Sequence, residues 1–175
     1  MLIIPTEETI SAEWINACLA RAGLTGTVTG FDAERVGTGQ IGKCVRYSLR
    51  FSDQGELPAS VIGKFPSDDE NSRQTGVVLL NFLKEVRFYQ ELQHRIVIKT
   101  PRCYFAEIID RGPEFFLLLQ DLAPAQQGDQ LAGCSPQVAK AALAELVGLQ
   151  APAWCDETLH DLKWLRDAEA AELVN

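Results

Sequence analysis

The stretch Val36-Gly37-Thr38-Gly39-Gln40-Ile41-Gly42 decides how the rest of this chain is read. It spells G-x-G-x-x-G. Upstream, residues 27–36 have extended character. Downstream, residues 44–51 alternate apolar and polar with a period of two. Val45, Tyr47, Leu49 and Phe51 then face one side, while Lys43, Arg46, Ser48 and Arg50 lie on or near the other. The glycines therefore join two strands. A dinucleotide-binding turn would run from a strand into a helix, and no helical period follows Ile41, so a nicotinamide-binding protein is the weakest reading. Glycine tolerates positive φ and lets backbone N–H groups approach a phosphate with no Cβ in the way. Taken alone, the motif serves equally well as a hairpin whose glycines only satisfy turn geometry.

The flanking segments narrow the choice. Ser11 caps a helix to about Ala22, with Gly23 as its stop and Trp14, Ile15, Cys18, Leu19 and Ala22 on one face. After the hairpin, a polar turn over 52–58 leads to a strand over 59–65, closed by Pro66. Near its end stands Lys64, placed to reach under the glycine loop, where a compact ammonium suits phosphate oxygens. The bland alternative is a strand-end lysine that reaches for water. Residues 67–75 read as a polar loop. An apolar stripe of Val78, Leu79, Phe82, Leu83, Val86, Tyr89 and Leu92 predicts a helix from about 76 to 94, with Glu85 off the stripe, where it could pair with Lys64. Strands follow over 101–109 and 114–120, the second so apolar that it should be central and buried. A polar connector begins at Asp121. Ser135-Pro136 then starts a helix to about Gln150, ended by Pro152, and Leu159, Leu162, Leu165 and Ala168 mark a last helical stretch.

Composition limits the function classes. The 175 residues suit one domain, or one domain plus part of another, and a net charge of −8 argues against a nucleic-acid partner. No apolar run is long enough to cross a bilayer, and Met1-Leu2-Ile3-Ile4-Pro5 lacks the features of a signal peptide, so a cytoplasmic protein without a membrane partner is expected. The five cysteines are scattered and never form C-x-x-C, as expected of reduced thiols. With only His94 and His160, histidine-based metal chemistry is not expected.

Four segments in this order carry a resemblance: Val-Gly-Thr-Gly-Gln-Ile-Gly (36–42), Ser-Val-Ile-Gly-Lys (60–64), Glu-Val-Arg-Phe-Tyr (85–89) and Leu-Leu-Leu-Gln-Asp-Leu (117–122). Gly128-Asp129-Gln130, the stretch from Leu149 to Trp154, and Lys163-Trp164-Leu165 fit it too. Together the chain resembles the aminoglycoside phosphotransferase and ecdysteroid-kinase-like small-molecule kinases, over nearly its whole length. The resemblance implies an α+β fold: a protein-kinase-like small lobe over 1–120, an antiparallel five-stranded sheet with a packed helix. A hinge and connector over 121–134 and the first helices of a truncated large lobe over 135–175 would follow. It implies ATP as ligand, with Mg²⁺. Gly37, Gly39 and Gly42 would lie over the phosphates, and Lys64 would contact α- and β-phosphate while pairing with Glu85. The backbone C=O of Gln120 and N–H of Leu122 would hold adenine.

The departures bear on activity. The family's catalytic aspartate sits in a loop resembling H-G-D-x-x-x-x-N, with a metal-binding aspartate later, and neither is in these residues. His160-Asp161 is the only His-Asp neighbour pair, and position 166, where the asparagine would fall, is Arg166. Gln120 stands where the family often has glutamate, and Gln150 where it often has histidine. The expectation is a truncated ATP-dependent small-molecule phosphotransferase that is inactive alone, acting in full-length form on a hydroxyl of an unidentified acceptor. The alternative is a non-catalytic binding or assembly module derived from a kinase lobe, dimeric through exposed hinge-side surface.

Overall fold

The computed structural model describes residues 2–37, 39–129 and 131–165. Thr38, Gln130, Arg166 and Ala168, used in the sequence reading, lie outside the described residues. The chain divides into two compact units. One takes the residues up to Val86 together with Pro101–Asp121, and the other takes Arg87–Thr100 together with the residues from Leu122 on.

The first unit is α+β. Its helix α1 (Ala12–Arg21) begins where the Ser11 hydroxyl accepts the Trp14 N–H at 3.2 Å. It ends at Ala22, before Gly23 at φ +82°. Five antiparallel strands follow: β1 (Thr27–Val36), β2 (Gly42–Asp53), β3 (Ser60–Pro66), β4 (Cys103–Ile108) and β5 (Phe115–Gln120), in the spatial order β1-β2-β3-β5-β4. One face of the sheet buries Val45, Tyr47, Val61, Phe65, Phe116 and Leu118 against Ile15, Cys18 and Leu19 of α1. Asn16 fixes the helix in register: its side chain accepts the Val28 N–H and donates to the Val28 carbonyl, both at 2.8 Å. Strand β5 lies between β3 and β4 with Phe115 to Leu119 all buried, as its unbroken apolar run predicts for a central strand.

The predicted helix over 76–94 is several elements. Helix α2 (Glu70–Val78) occupies much of the expected polar loop, because the Asp69 carboxylate caps it by accepting the Ser72 N–H at 2.8 Å. The chain turns at Leu80, which has φ +57°, and α3 (Asn81–Arg87) follows. A left-handed leucine costs about 1–2 kcal/mol, but the turn leaves Leu80 only 2% exposed, and burying a leucine returns about 1.5–3 kcal/mol. Packing therefore outweighs helical continuity. Beyond α3 the chain forms a π-type turn (Phe88–Leu92) and a 3-10 turn (Gln93–Arg95).

In the second unit, α4 (Pro136–Ala153) starts with the Ser135 hydroxyl accepting the Val138 N–H at 3.3 Å. It passes through Pro152 instead of stopping before it. Proline cannot donate to the carbonyl four residues back, that of Gly148. That carbonyl instead accepts the N–H groups of Val97 (2.9 Å) and Ile98 (3.2 Å). The expected last helix is two 3-10 turns, Glu157–Asp161 and Lys163–Leu165. Trp164 donates its ring N–H to Glu91 at 2.8 Å. Among the described residues no helix is long and apolar enough to cross a membrane.

Candidate functional site

The face of the sheet opposite α1 collects the side chains of interest, and strand register explains why. Directly opposed residues of antiparallel strands share a face. Val36, Cys44, Lys64 and Leu117 form one such row across β1, β2, β3 and β5. Glu34, Arg46, Ile62 and Leu119 form the next. A charged residue and apolar neighbours thus alternate over a floor that is partly apolar.

Lys64 and Glu85 meet on this face. Lys64 Nζ donates to Glu85 Oε1 at 2.6 Å, with the two side chains 25% and 31% exposed. Helix α3 supplies the glutamate from its short run of about two turns after the Leu80 bend. An ion pair this covered leaves a costly charge when one partner is removed. The ammonium has three donors, so further acceptors remain possible. Beside it, burial pushes the Cys44 thiol up in pKa, an effect that Lys64 partly opposes and Glu85 reinforces.

The glycine hairpin stands at the same end of the sheet. Gly37 has φ +77°, in the left-handed region that glycine adopts without penalty. A Cβ on Gly42 would stand 3.2 Å from Cε of Lys64, and one on Gly39 would stand 2.5 Å from the Gly42 carbonyl oxygen. The loop and the lysine are therefore neighbours, and side chains at 39 or 42 would crowd them. Gln120 closes β5 at the other end of the sheet, donating its N–H to the Arg102 carbonyl at 2.8 Å and accepting the Arg102 N–H on its side chain at 3.2 Å. Leu122 belongs to the second unit, where its carbonyl accepts the Ala125 N–H at 2.9 Å.

The structure adds a polar cluster that sequence reading missed. The Asp121 carboxylate, only 6% exposed, accepts Arg46 Nε at 2.6 Å and the Ser60 hydroxyl at 2.7 Å. Arg46 also lies 3.9 Å from Glu34. The one sequence signal was the position of Arg46 on the polar side of β2. Its partner is 75 residues away. This cluster ties the start of β3 and the end of β5 to the middle of β2. His160 and Asp161 lie in the first 3-10 turn of the second unit, with His160 Nε2 3.9 Å from Glu157. Among the described residues no group of three or more His, Cys, Asp or Glu side chains is arranged to hold a metal ion.

No protein-family model matches this chain, and no curated protein is significantly similar to it.

Proposed function

We propose that the first unit is a nucleotide-binding lobe of the small-molecule kinase type, with ATP as its ligand. The observation that carries this reading is the 2.6 Å Lys64–Glu85 pair, with Lys64 beside Gly42 where β2 leaves the glycine hairpin. The carboxylate holds the ammonium extended, leaving donors for α- and β-phosphate oxygens. Gly37, Gly39 and Gly42 let the hairpin backbone approach the same phosphates, since no Cβ intervenes. Ile62 and Leu119 offer an apolar floor for a base, with the backbone carbonyl of Gln120 as its partner in this unit. Bound Mg²⁺ would neutralise phosphate charge. These residues contain neither the catalytic-loop aspartate nor the later metal-binding one that the reaction needs, so this polypeptide alone would bind nucleotide weakly and transfer no phosphate.

Calorimetry of Mg-ATP with the wild type and Lys64→Ala tests the reading. Weak, saturable heats in the wild type that vanish in the variant are expected. Equal heats in the two proteins would remove the phosphate site.

A second reading, a binding or assembly module, draws on α4. None of its residues is buried, and Val138, Leu143 and Val147 are each more than half exposed. Such a helix suits coverage by a partner or a second copy. Sedimentation equilibrium distinguishes it: a dimer lost on Leu143→Glu supports it, and a monomer at all concentrations removes the self-association form.

A further inference from the structure

A cavity of about 730 Å³ lies at the end of the sheet where β3 stops and β5 begins. Its apolar wall includes Leu2, Ile4 and Pro5 of the N-terminal arm, Phe65 of β3, Ile108 of β4 and Phe115 of β5. Neither Lys64 nor Glu85 nor the glycine hairpin contributes to it. Its size falls within the roughly 300–1,000 Å³ of small-molecule sites, and an apolar wall with a few polar groups is their usual make-up.

The charges around it are unequally committed. Two cations contribute to the lining, Lys43 and Arg73. Lys43 donates to Asp68 at 2.5 Å and pairs with Glu7 as well. Its ammonium holds the Asp68 carboxyl below the usual carboxylate range. Arg73 donates to the carbonyls of Ser67 and Asp68, each at 2.9 Å, and pairs with Glu70. Both positive charges are thus occupied. Glu107 and Glu114, flanking the turn between β4 and β5, and Glu8 of the N-terminal arm also line the cavity, and none of the three has an ion-pair partner among the described residues. The unmatched charge at this cavity is negative.

We propose that this cavity binds a small organic cation, with an apolar body against the half-buried Leu2, Ile4 and Ile108 and an ammonium group drawn to Glu8, Glu107 and Glu114. An anion of the same shape meets no uncommitted positive charge and three unmatched negative ones. A neutral analogue gains the apolar contact alone. The site stands whether or not the Lys64 face takes a nucleotide, because the two share no residue.

The test is a matched set of probes with one apolar body: 4-phenylbutylammonium, 4-phenylbutanol and 4-phenylbutanoate, titrated into the full chain and followed by backbone amide NMR. The ammonium probe should saturate and shift the amides of Ser67, Ile108 and Ile109. The alcohol should bind at least ten-fold more weakly, and the carboxylate more weakly still. The triple substitution Glu8→Gln, Glu107→Gln, Glu114→Gln should erase the preference while leaving the alcohol's affinity unchanged. Added salt should weaken the ammonium probe alone, a readout that needs no substitution. Equal affinities for the three probes, a preference for the carboxylate, no saturation by the ammonium, or shifts confined to other amides would each overturn the proposal.

Discussion

Burial sets the chemistry of individual thiols here. Cys18 and Cys103 have their pKa values pushed up to about 12 by desolvation, from an ordinary 9.0, so both stay protonated near neutrality. Cys134 and Cys155 are exposed. At pH 8 a disulfide reagent such as Ellman's should titrate Cys134 and Cys155 quickly and leave Cys18 and Cys103 unreacted until denaturant is added. The same burial links folding to pH. The folded thiol keeps its proton after the unfolded thiol has lost it, so unfolding releases protons and rising pH favours the unfolded chain. This contribution is intact below pH 9 and is lost between pH 9 and 12, at no more than about 1.4 kcal/mol per pH unit for each thiol. Tyr47, whose buried hydroxyl lacks a hydrogen-bond partner among the described residues, adds to the loss above pH 10 because burial raises its pKa too. Urea unfolding across this range checks the slope, which Cys18→Ala with Cys103→Ala should flatten. At this scale the sequence exposed some partners and hid others. Lys64 and Glu85 could be matched because a strand end and a helix position each pointed one way. Asp121 could not be matched to Arg46 and Ser60, because their meeting depends on β5 entering the sheet beside β3, which no local pattern encodes.

At the scale of elements, periodicity read the strands and α1 well and misread the region after β3. The alternation in β2 and the solid apolar run of β5 are direct marks of one-sided and two-sided burial. The stripe from Val78 to Leu92 looked like one helix because the spacing persists across the bend. The bend exists because Leu80 gains more from burial than it loses in a left-handed backbone. Pro152 misled for a related reason. A proline stops a helix when it orphans a carbonyl, and here the segment 97–98 satisfies that carbonyl from outside. The arrangement demands close approach at Gly148, where a Cβ would stand 2.8 Å from the Ile98 nitrogen. Gly148→Ala should therefore destabilise the second unit by about 1–3 kcal/mol, the usual cost of overpacking. Amide exchange at Val97 and Ile98 should accelerate in the variant. Unchanged protection there would show that the segment docks without this contact.

For the whole molecule, cover is uneven. Five consecutive residues of β5 are buried, and none of α4 is. Hydrogen exchange should therefore release the amides of α4 about 100-fold or more ahead of those of β5, since local opening follows the density of buried contacts. Comparable rates in the two elements would mean that α4 is held by something other than its own burial. The sheet order also has a bearing on biosynthesis. Strand β3 finds its second neighbour only in β5, the last strand of the sheet to leave the ribosome. The stretch between Pro66 and Gln120 takes about 3–10 s to translate at ~5–20 residues per second. Throughout that interval the nascent chain carries a bare, strongly apolar strand margin, the kind of surface that chaperones shield and that pairs promiscuously when they do not.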